Sequence, residues 1–419
     1  MTLPSSKNIT RVVLDNGIVV LVYENFAAQS VVLSGSLRVG SAYEMPAQNG
    51  LASLTSAALM RGTKRRDFTA IHSALEDVGA DLGVSGGWYR TNTSGKALAE
   101  DLPMLIDLLA DVVREPAFPE SHIDRLRGET LTSLKIRSQD TRYRAGRAFY
   151  DTLYPPGHPY HYPTRGTLET VETLSAADLA AFHRTAYGAN GMILVIVGAV
   201  NAADAVEIVR ARFGDWRNPE QPPEVTTADA PTISAGLRSV VNLPGKTQAD
   251  IVLGGVGPTR RSADFPAAQL ANSVLGQFGM MGRVGKSVRE EGGLAYYAYS
   301  QVDGGVAALP WQVIAGVNPA NVELAIGKMT DEVRRLTEEP ISEDDLADNQ
   351  AYFTGHLPLQ METNEGIADT LHNMELHGRG LDYLVNYRDM MYSLTREDVL
   401  NVARRYLDAD KLVVGIATP

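Results

Sequence analysis

In a chain of 419 residues with eight histidines and no cysteine, chemistry falls to imidazole, carboxylate, hydroxyl and guanidinium groups. The missing cysteines exclude disulfides, thiolate–zinc sites and cysteine nucleophiles. His372 and His377 frame the run HNMELH. On a helix, positions five apart differ by roughly 140°, so the two rings cannot share a metal and are read as core or surface histidines. His158 and His161 stand three apart in a proline-rich loop, with no carboxylate placed as a third ligand. Ser53 and Ser56 have no histidine near them in sequence, and no G-x-S-x-G nucleophile turn occurs. GRVGKS, residues 282–287, ends like a phosphate-binding loop, but position 280 is Met where that loop needs glycine, which argues against ATP. No residue set in this chain supports catalysis unaided.

The elements that position these residues come next. Hydrophobic residues make up 44% and charged residues 21%, the balance of a globular protein with substantial cores. The net charge of −12, without a basic block, argues against nucleic acid or an anionic membrane as partner. No uncharged apolar run reaches 18 residues, and no charged leader precedes an apolar core at the N-terminus, so a cytoplasmic location is expected. The N-terminal segment reads as strand, Asp15-Asn16-Gly17 turn, strand. RNPEQPPEVTTADAPTI, residues 217–233, reads as an extended proline-rich linker between an N-terminal domain (1–216) and a C-terminal domain (234–419).

The two halves echo each other. LSAADLAAFHRTAYGANGMILVIVGAV (174–200) and LTREDVLNVARRYLDADKLVVGIATP (394–419) share one plan. In each, a Ser or Thr N-cap with an acid three residues later opens an amphipathic helix, and a loop then leads to a hydrophobic strand. DLPMLIDLLADVVREPAF (101–118) and NVELAIGKMTDEVRRLTEEPI (321–341) are both helices stopped by proline. Alternating or β-branched runs at 18–23, 31–39, 89–95, 249–253, 311–315 and 412–416 read as strands. The expected fold is α+β: two homologous domains, each an antiparallel sheet backed by helices.

Four segments, in order along the chain, carry a family resemblance. GLASLTSAALMRGTKRR (50–66) resembles the zinc-binding segment G-x-A-H-F-L-E-H-M-x-F-K-G-T of the pitrilysin-like (M16) peptidases, keeping Gly50, Ala52, Gly62 and Thr63. EDLPMLIDLLADVVREPAF (100–118), PGHPYHYPTRG (156–166) and SVREEGGLAYYAYS (287–300) resemble later family segments. The resemblance places the two histidine ligands at Ser53 and Ala57 and the general-base glutamate at Ser56, and the third ligand near Ser133 or Leu134. A hydroxyl is a poor zinc ligand and a methyl is none, so no metal is expected in this chain.

The resemblance also matches Arg289 and Tyr296 to the family's Arg–Tyr pair. That pair faces the zinc site from the other half of the molecule and contacts substrate backbone. It implies that Arg289 donates to a peptide carbonyl and Tyr296 to a carbonyl or developing oxyanion. The glycine-rich stretch GQFGMMGRVG (276–285) is similar to one in the non-catalytic subunit of mitochondrial processing peptidase, which makes Gly279 and Gly282 candidates for substrate contact. Implied overall is a non-catalytic subunit, inactive alone, that positions peptide for a zinc-bearing M16 partner in a heterodimer. The alternative is a proteolytically silent peptide-binding or scaffold protein.

Overall fold

The structure is a computed structural model that describes residues 3–226, 229–278 and 281–419. Its strands form two sheets. The first holds β1 (Ile9–Val13), β2 (Val19–Glu24), β3 (Ser30–Leu37), β4 (Asp81–Gly86), β5 (Thr91–Leu98) and β6 (Ile193–Gly198), in the order β1-β2-β6-β3-β5-β4. The second holds β7 (Leu237–Asn242), β8 (Ala249–Val256), β9 (Ala295–Gly304), β10 (Ala308–Val317) and β11 (Val413–Thr418), in the order β7-β11-β8-β10-β9. Laying β7 on β2, β11 on β6, β8 on β3, β10 on β5 and β9 on β4 superposes the two orders, leaving only β1 without a counterpart. The duplication seen in the sequence is therefore a duplication of topology.

Chain compaction draws on both halves. One compact unit comprises the chain up to Ser133, Pro163–Thr226 and Leu357–Asn386. The other comprises Leu134–Tyr162, the chain from the linker to His356, and Tyr387–Pro419. Each unit thus holds a helical segment encoded in the opposite half.

In the first unit both sheet faces are covered, which explains the unbroken apolar runs in β2 and β6. Val20, Val22, Leu194 and Ile196 point into a core shared with the helices Leu51–Ala58, Leu102–Arg114, Ala176–Ala186 and Ala202–Phe213. The alternate residues Leu21, Tyr23, Ile193, Val195 and Val197 pack against Ile367, Ala368, Leu371 and Met374 of the helix Asn364–Leu376. In the second unit the helices Phe265–Asn272, Val322–Glu338 and Arg396–Tyr406 share a core with β8, β10 and β11. The helix Thr141–Leu153 lies on β11, β8 and β7. Gly415 in β11 permits that approach, since a Cβ there would sit 2.5 Å from the Ala145 carbonyl oxygen and the Phe149 nitrogen.

Local signals act as the sequence indicates. Asn16-Gly17 turns the β1–β2 hairpin with Gly17 at φ 86°. Ser175 with Asp178, and Thr395 with Asp398, form reciprocal capping boxes on the helices that precede β6 and β11. One expectation needs correction: the sheets are mixed rather than wholly antiparallel. β2 pairs parallel with β6, and β7 with β11. In each case a helix precedes the closing strand, and such a crossover delivers a parallel neighbour where a tight turn cannot.

Candidate functional site

Ser53, Ser56 and Ala57 lie on the helix Leu51–Ala58, on one face by their i, i+3, i+4 spacing. Ser56 is buried, and its hydroxyl donates to the Ser53 carbonyl oxygen at 2.8 Å. The helix closes onto the sheet edge there: a Cβ on Gly86 of β4 would stand 2.9 Å from Ser56 Oγ. Neither the ligand types nor the room beside Ser56 fits a zinc ion and a catalytic glutamate. Ser133 and Leu134 fall on the helix Glu120–Ser138 and are neutral. Its acids Asp124 and Glu129 pair with Arg127 and Arg125 at 2.8 and 2.9 Å, as surface residues do. Among the described residues, no group of three or more His, Asp or Glu could hold a metal ion.

The retained frame around these positions has structural causes. Gly50 caps the helix at φ 100°, where a Cβ would stand 2.9 Å from Arg165 O and Gly166 Cα. Glu44 serves the helix N-terminus from outside. It accepts from the Gly50 and Ala52 backbone N–H groups at 2.9 and 2.7 Å and from Asn49 Nδ2 at 2.9 Å. Burial pushes its carboxyl up to about 7, against the pull of those donors. Thr63 donates its hydroxyl to Asp111 at 2.9 Å, while Arg65 and Arg66 each bridge Asp107 and Asp111 at 2.6–3.0 Å. Arg212 joins Asp107 at 3.0 Å. These ion pairs pull Asp107 below its ordinary range, overcoming its burial. The frame of the motif holds the fold, and it persists without the metal.

In the second unit, Gly285–Glu290 forms a short helical segment carrying Arg289. Gly293, at φ 61°, ends it by donating its N–H to the Arg289 carbonyl at 3.0 Å. Tyr296 follows as the second residue of β9 and is 63% exposed; Arg289 is exposed too. Neither side chain forms a hydrogen bond or ion pair with another described residue, nor with each other. Gly282 is buried, and a Cβ on it would fall 2.3 Å from Gly276 Cα, so backbone packing alone requires glycine there. Gly279 lies outside the described residues.

The neighbouring tyrosines behave differently, which sequence reading missed. Tyr297 donates its hydroxyl to the fully buried Asp250, which also accepts from Gln248 Nε2 at 3.1 Å on each oxygen. Arg142 stands 5.1 Å from the Tyr297 ring and 5.4 Å from the Tyr299 ring, and donates to the Tyr299 hydroxyl. Burial, then Asp250, pushes the Tyr297 hydroxyl well above its ordinary range. The available signal was an unpaired acid, Asp250, opening an apolar strand.

The other candidate histidines are structural. His372 is buried and shares a 2.8 Å hydrogen bond through Nε2 with Ser36 Oγ of β3. His158 accepts the Tyr160 N–H on Nδ1 at 3.0 Å, capping its own loop.

Comparison with known proteins gives a consistent result. Residues 19–151 match the family described as Insulinase (Peptidase family M16), and residues 173–352 match the one described as Peptidase M16 inactive domain. An uncharacterized zinc protease of Streptomyces coelicolor is 28% identical over 374 residues, covering 88% of this chain and 81% of that protein. Subunit 1 of the mitochondrial cytochrome b-c1 complex of Bos taurus is 26% identical over 265 residues, 63% of this chain and 55% of its own. The crystal structure of a peptidase M16 inactive domain from Pseudomonas fluorescens superposes with a TM-score of 0.91 at 25% identity, covering 98% of both chains. With two paired sheets of one topology and these matches spanning most of its length, the chain belongs to the M16 peptidase family, as a member without the zinc ligands.

Proposed function

We propose that this chain is the substrate-positioning half of a heteromeric M16 peptidase, with zinc and the general base supplied by a partner subunit. Arg289 holds a carbonyl of the bound peptide through its guanidinium, and Tyr296 donates its hydroxyl to the oxygen that gains charge as the peptide bond is attacked. The observation that carries this reading is the idleness of the pair. An arginine and a tyrosine that is 63% exposed make no side-chain hydrogen bond or ion pair with another described residue, beside two tyrosines that the fold engages fully. Side chains idle within the chain are what a contact in trans requires.

Purification of the tagged chain from its native host, with mass spectrometry of what accompanies it, tests the assembly. A near-equimolar protein of similar size carrying His-x-x-Glu-His is expected. In the complex, Arg289→Ala should lower peptide cleavage by about a hundredfold, the order found when an oxyanion donor is removed, with the subunits still associated. Unchanged cleavage would sink the proposal. A second reading, a proteolytically silent scaffold or peptide-binding protein, is favoured by the similarity to the cytochrome b-c1 subunit. Recovery of this chain alone, or inside an unrelated complex, would favour that reading.

A further inference from the structure

The corner where the helix Glu120–Ser138 hands over to the helix Thr141–Leu153 carries charge opposite in sign to the chain as a whole. The chain is net −12, yet residues 135–147 hold Lys135, Arg137, Arg142, Arg144 and Arg147 against one acid, Asp140, a local net of +4. Asp140 is committed, since its carboxylate caps the second helix by accepting the Tyr143 N–H at 2.6 Å. Arg147 pairs with Asp151. The other four cations have no carboxylate partner among the described residues, although arginines elsewhere on the surface find one, as Arg11 does in Glu375 and Arg238 in Glu323. Lys135, Arg137 and Arg142 are exposed and Arg144 is half-buried, so solvent reaches the corner.

The fold holds two of these charges in place. Arg137 of the first helix lies over the Tyr143 ring of the second at 5.9 Å, which ties the two helix ends together. Arg142 stands 5.1 Å from the Tyr297 ring and 5.4 Å from the Tyr299 ring of β9 and donates to the Tyr299 hydroxyl. A guanidinium has five N–H donors, so Arg142 keeps most of its own for a ligand. Helix rise and the short turn put residues 135–144 within roughly 15 Å of one another, the span of roughly four or five extended residues. Ile136, between two of the cations in sequence, is 69% exposed and offers an apolar contact beside them. The nearby rings Tyr143, Tyr297 and Tyr299 each carry a guanidinium already, so the platform on which a nucleic-acid base would stack is taken. The net negative charge of the remaining chain repels a long polyanion or an anionic bilayer, but not a short segment that fits within the corner.

We infer that this corner is a docking surface for a short acidic peptide segment. Its carboxylates meet Lys135, Arg137, Arg142 and Arg144, and an apolar side chain among them lies on Ile136. The surface belongs to this chain alone and does not depend on the Arg289–Tyr296 pair or on a partner subunit.

Fluorescence anisotropy of a labelled, end-capped Glu-Glu-Leu-Glu-Glu peptide titrated with the full chain tests it, beside the Lys-Lys-Leu-Lys-Lys peptide and a thymidine oligonucleotide of the same length. Saturable binding of the acidic peptide alone is expected at low salt, weakening about fivefold or more between about 20 and about 200 mM salt. Lys135→Glu combined with Arg144→Glu should weaken it about tenfold or more, because the segment then meets like charge. Arg184→Glu combined with Lys328→Glu, which changes net charge equally outside the corner, should weaken it far less. Neither Lys135 nor Arg144 has a partner to lose, so thermal unfolding of that variant should match the parent. Should it not, Lys135→Gln with Arg144→Gln takes its place, with a smaller loss of affinity expected. Absence of saturable binding, equal losses in the corner and control variants, or tighter binding of the oligonucleotide than of the acidic peptide overturns the inference.

Discussion

Two adjacent tyrosines in β9 are used differently by the fold. Tyr296 bonds to no other described residue through its hydroxyl, whereas Tyr297 holds the buried Asp250. Tyr296→Phe should leave unfolding by denaturant unchanged and, if the proposed heteromeric complex forms, lower its cleavage of peptide. Tyr297→Phe should cost about 1–3 kcal/mol of stability by stripping a donor from a buried acid. Two titratable groups, the buried His372 and the partly buried Glu44, have opposite effects on the pH dependence of stability. Burial and the nearby Arg90 lower His372 to about 4. Between about 6.5 and 4 the unfolded chain therefore binds more protons at this residue, and stability falls as pH falls through that window, by roughly 3 kcal/mol in all. Glu44, raised to about 7, works the other way: its contribution is present below its unfolded value near 4.5 and is lost as pH rises through 7. His372→Gln should flatten the acid limb of a stability–pH profile and leave the Glu44 limb in place. Sequence made His372 readable only as a core or surface histidine. The Ser36 partner, 336 residues away, carries no local signal.

At the scale of elements, most of the two sheets was legible because each strand face meets a core, so period and composition agree. The edge strand β4, DLGVSG, escaped notice because glycine, serine and aspartate mask its alternation, and β7, LRSVVN, because it is short and largely exposed. The parallel pairings and the covering of each sheet by a helix from the other half were not legible either. Periodicity reports that a face is apolar but not what covers it. The helix Asn364–Leu376 shows the stakes: Leu371 is fully buried on the first sheet, flanked by the Ser34–Asp369 and Ser36–His372 hydrogen bonds, both 2.8 Å. Leu371→Ala should destabilise the protein by about 2–5 kcal/mol in a denaturant titration, as for large-to-small changes in a core. Ser175→Ala and Thr395→Ala, at equivalent caps in the two repeats, should each cost about 1 kcal/mol.

For the whole molecule, the degenerate motif reads as a site lost through both chemistry and space. Restoring the letters should not restore the metal. The combined Ser53→His, Ser56→Glu, Ala57→His variant lacks an acid at Ser133 or Leu134, and places a carboxylate where Ser56 Oγ already sits against Gly86. Titration with zinc against a chromophoric chelator should show no tight site, and unfolding should show a less stable chain.

The segment exchange between the halves has a further consequence, for inheritance and expression. Residues 357–386 complete the first compact unit and residues 134–162 the second, though each is encoded on the far side of residues 217–233. A gene cut at that linker would yield two polypeptides that each lack part of their own core and carry part of the other's. Neither fragment alone carries a whole compact unit, so neither should fold as an autonomous building block. A protease nicking the linker should accordingly leave two fragments that co-elute on size exclusion and separate only in denaturant.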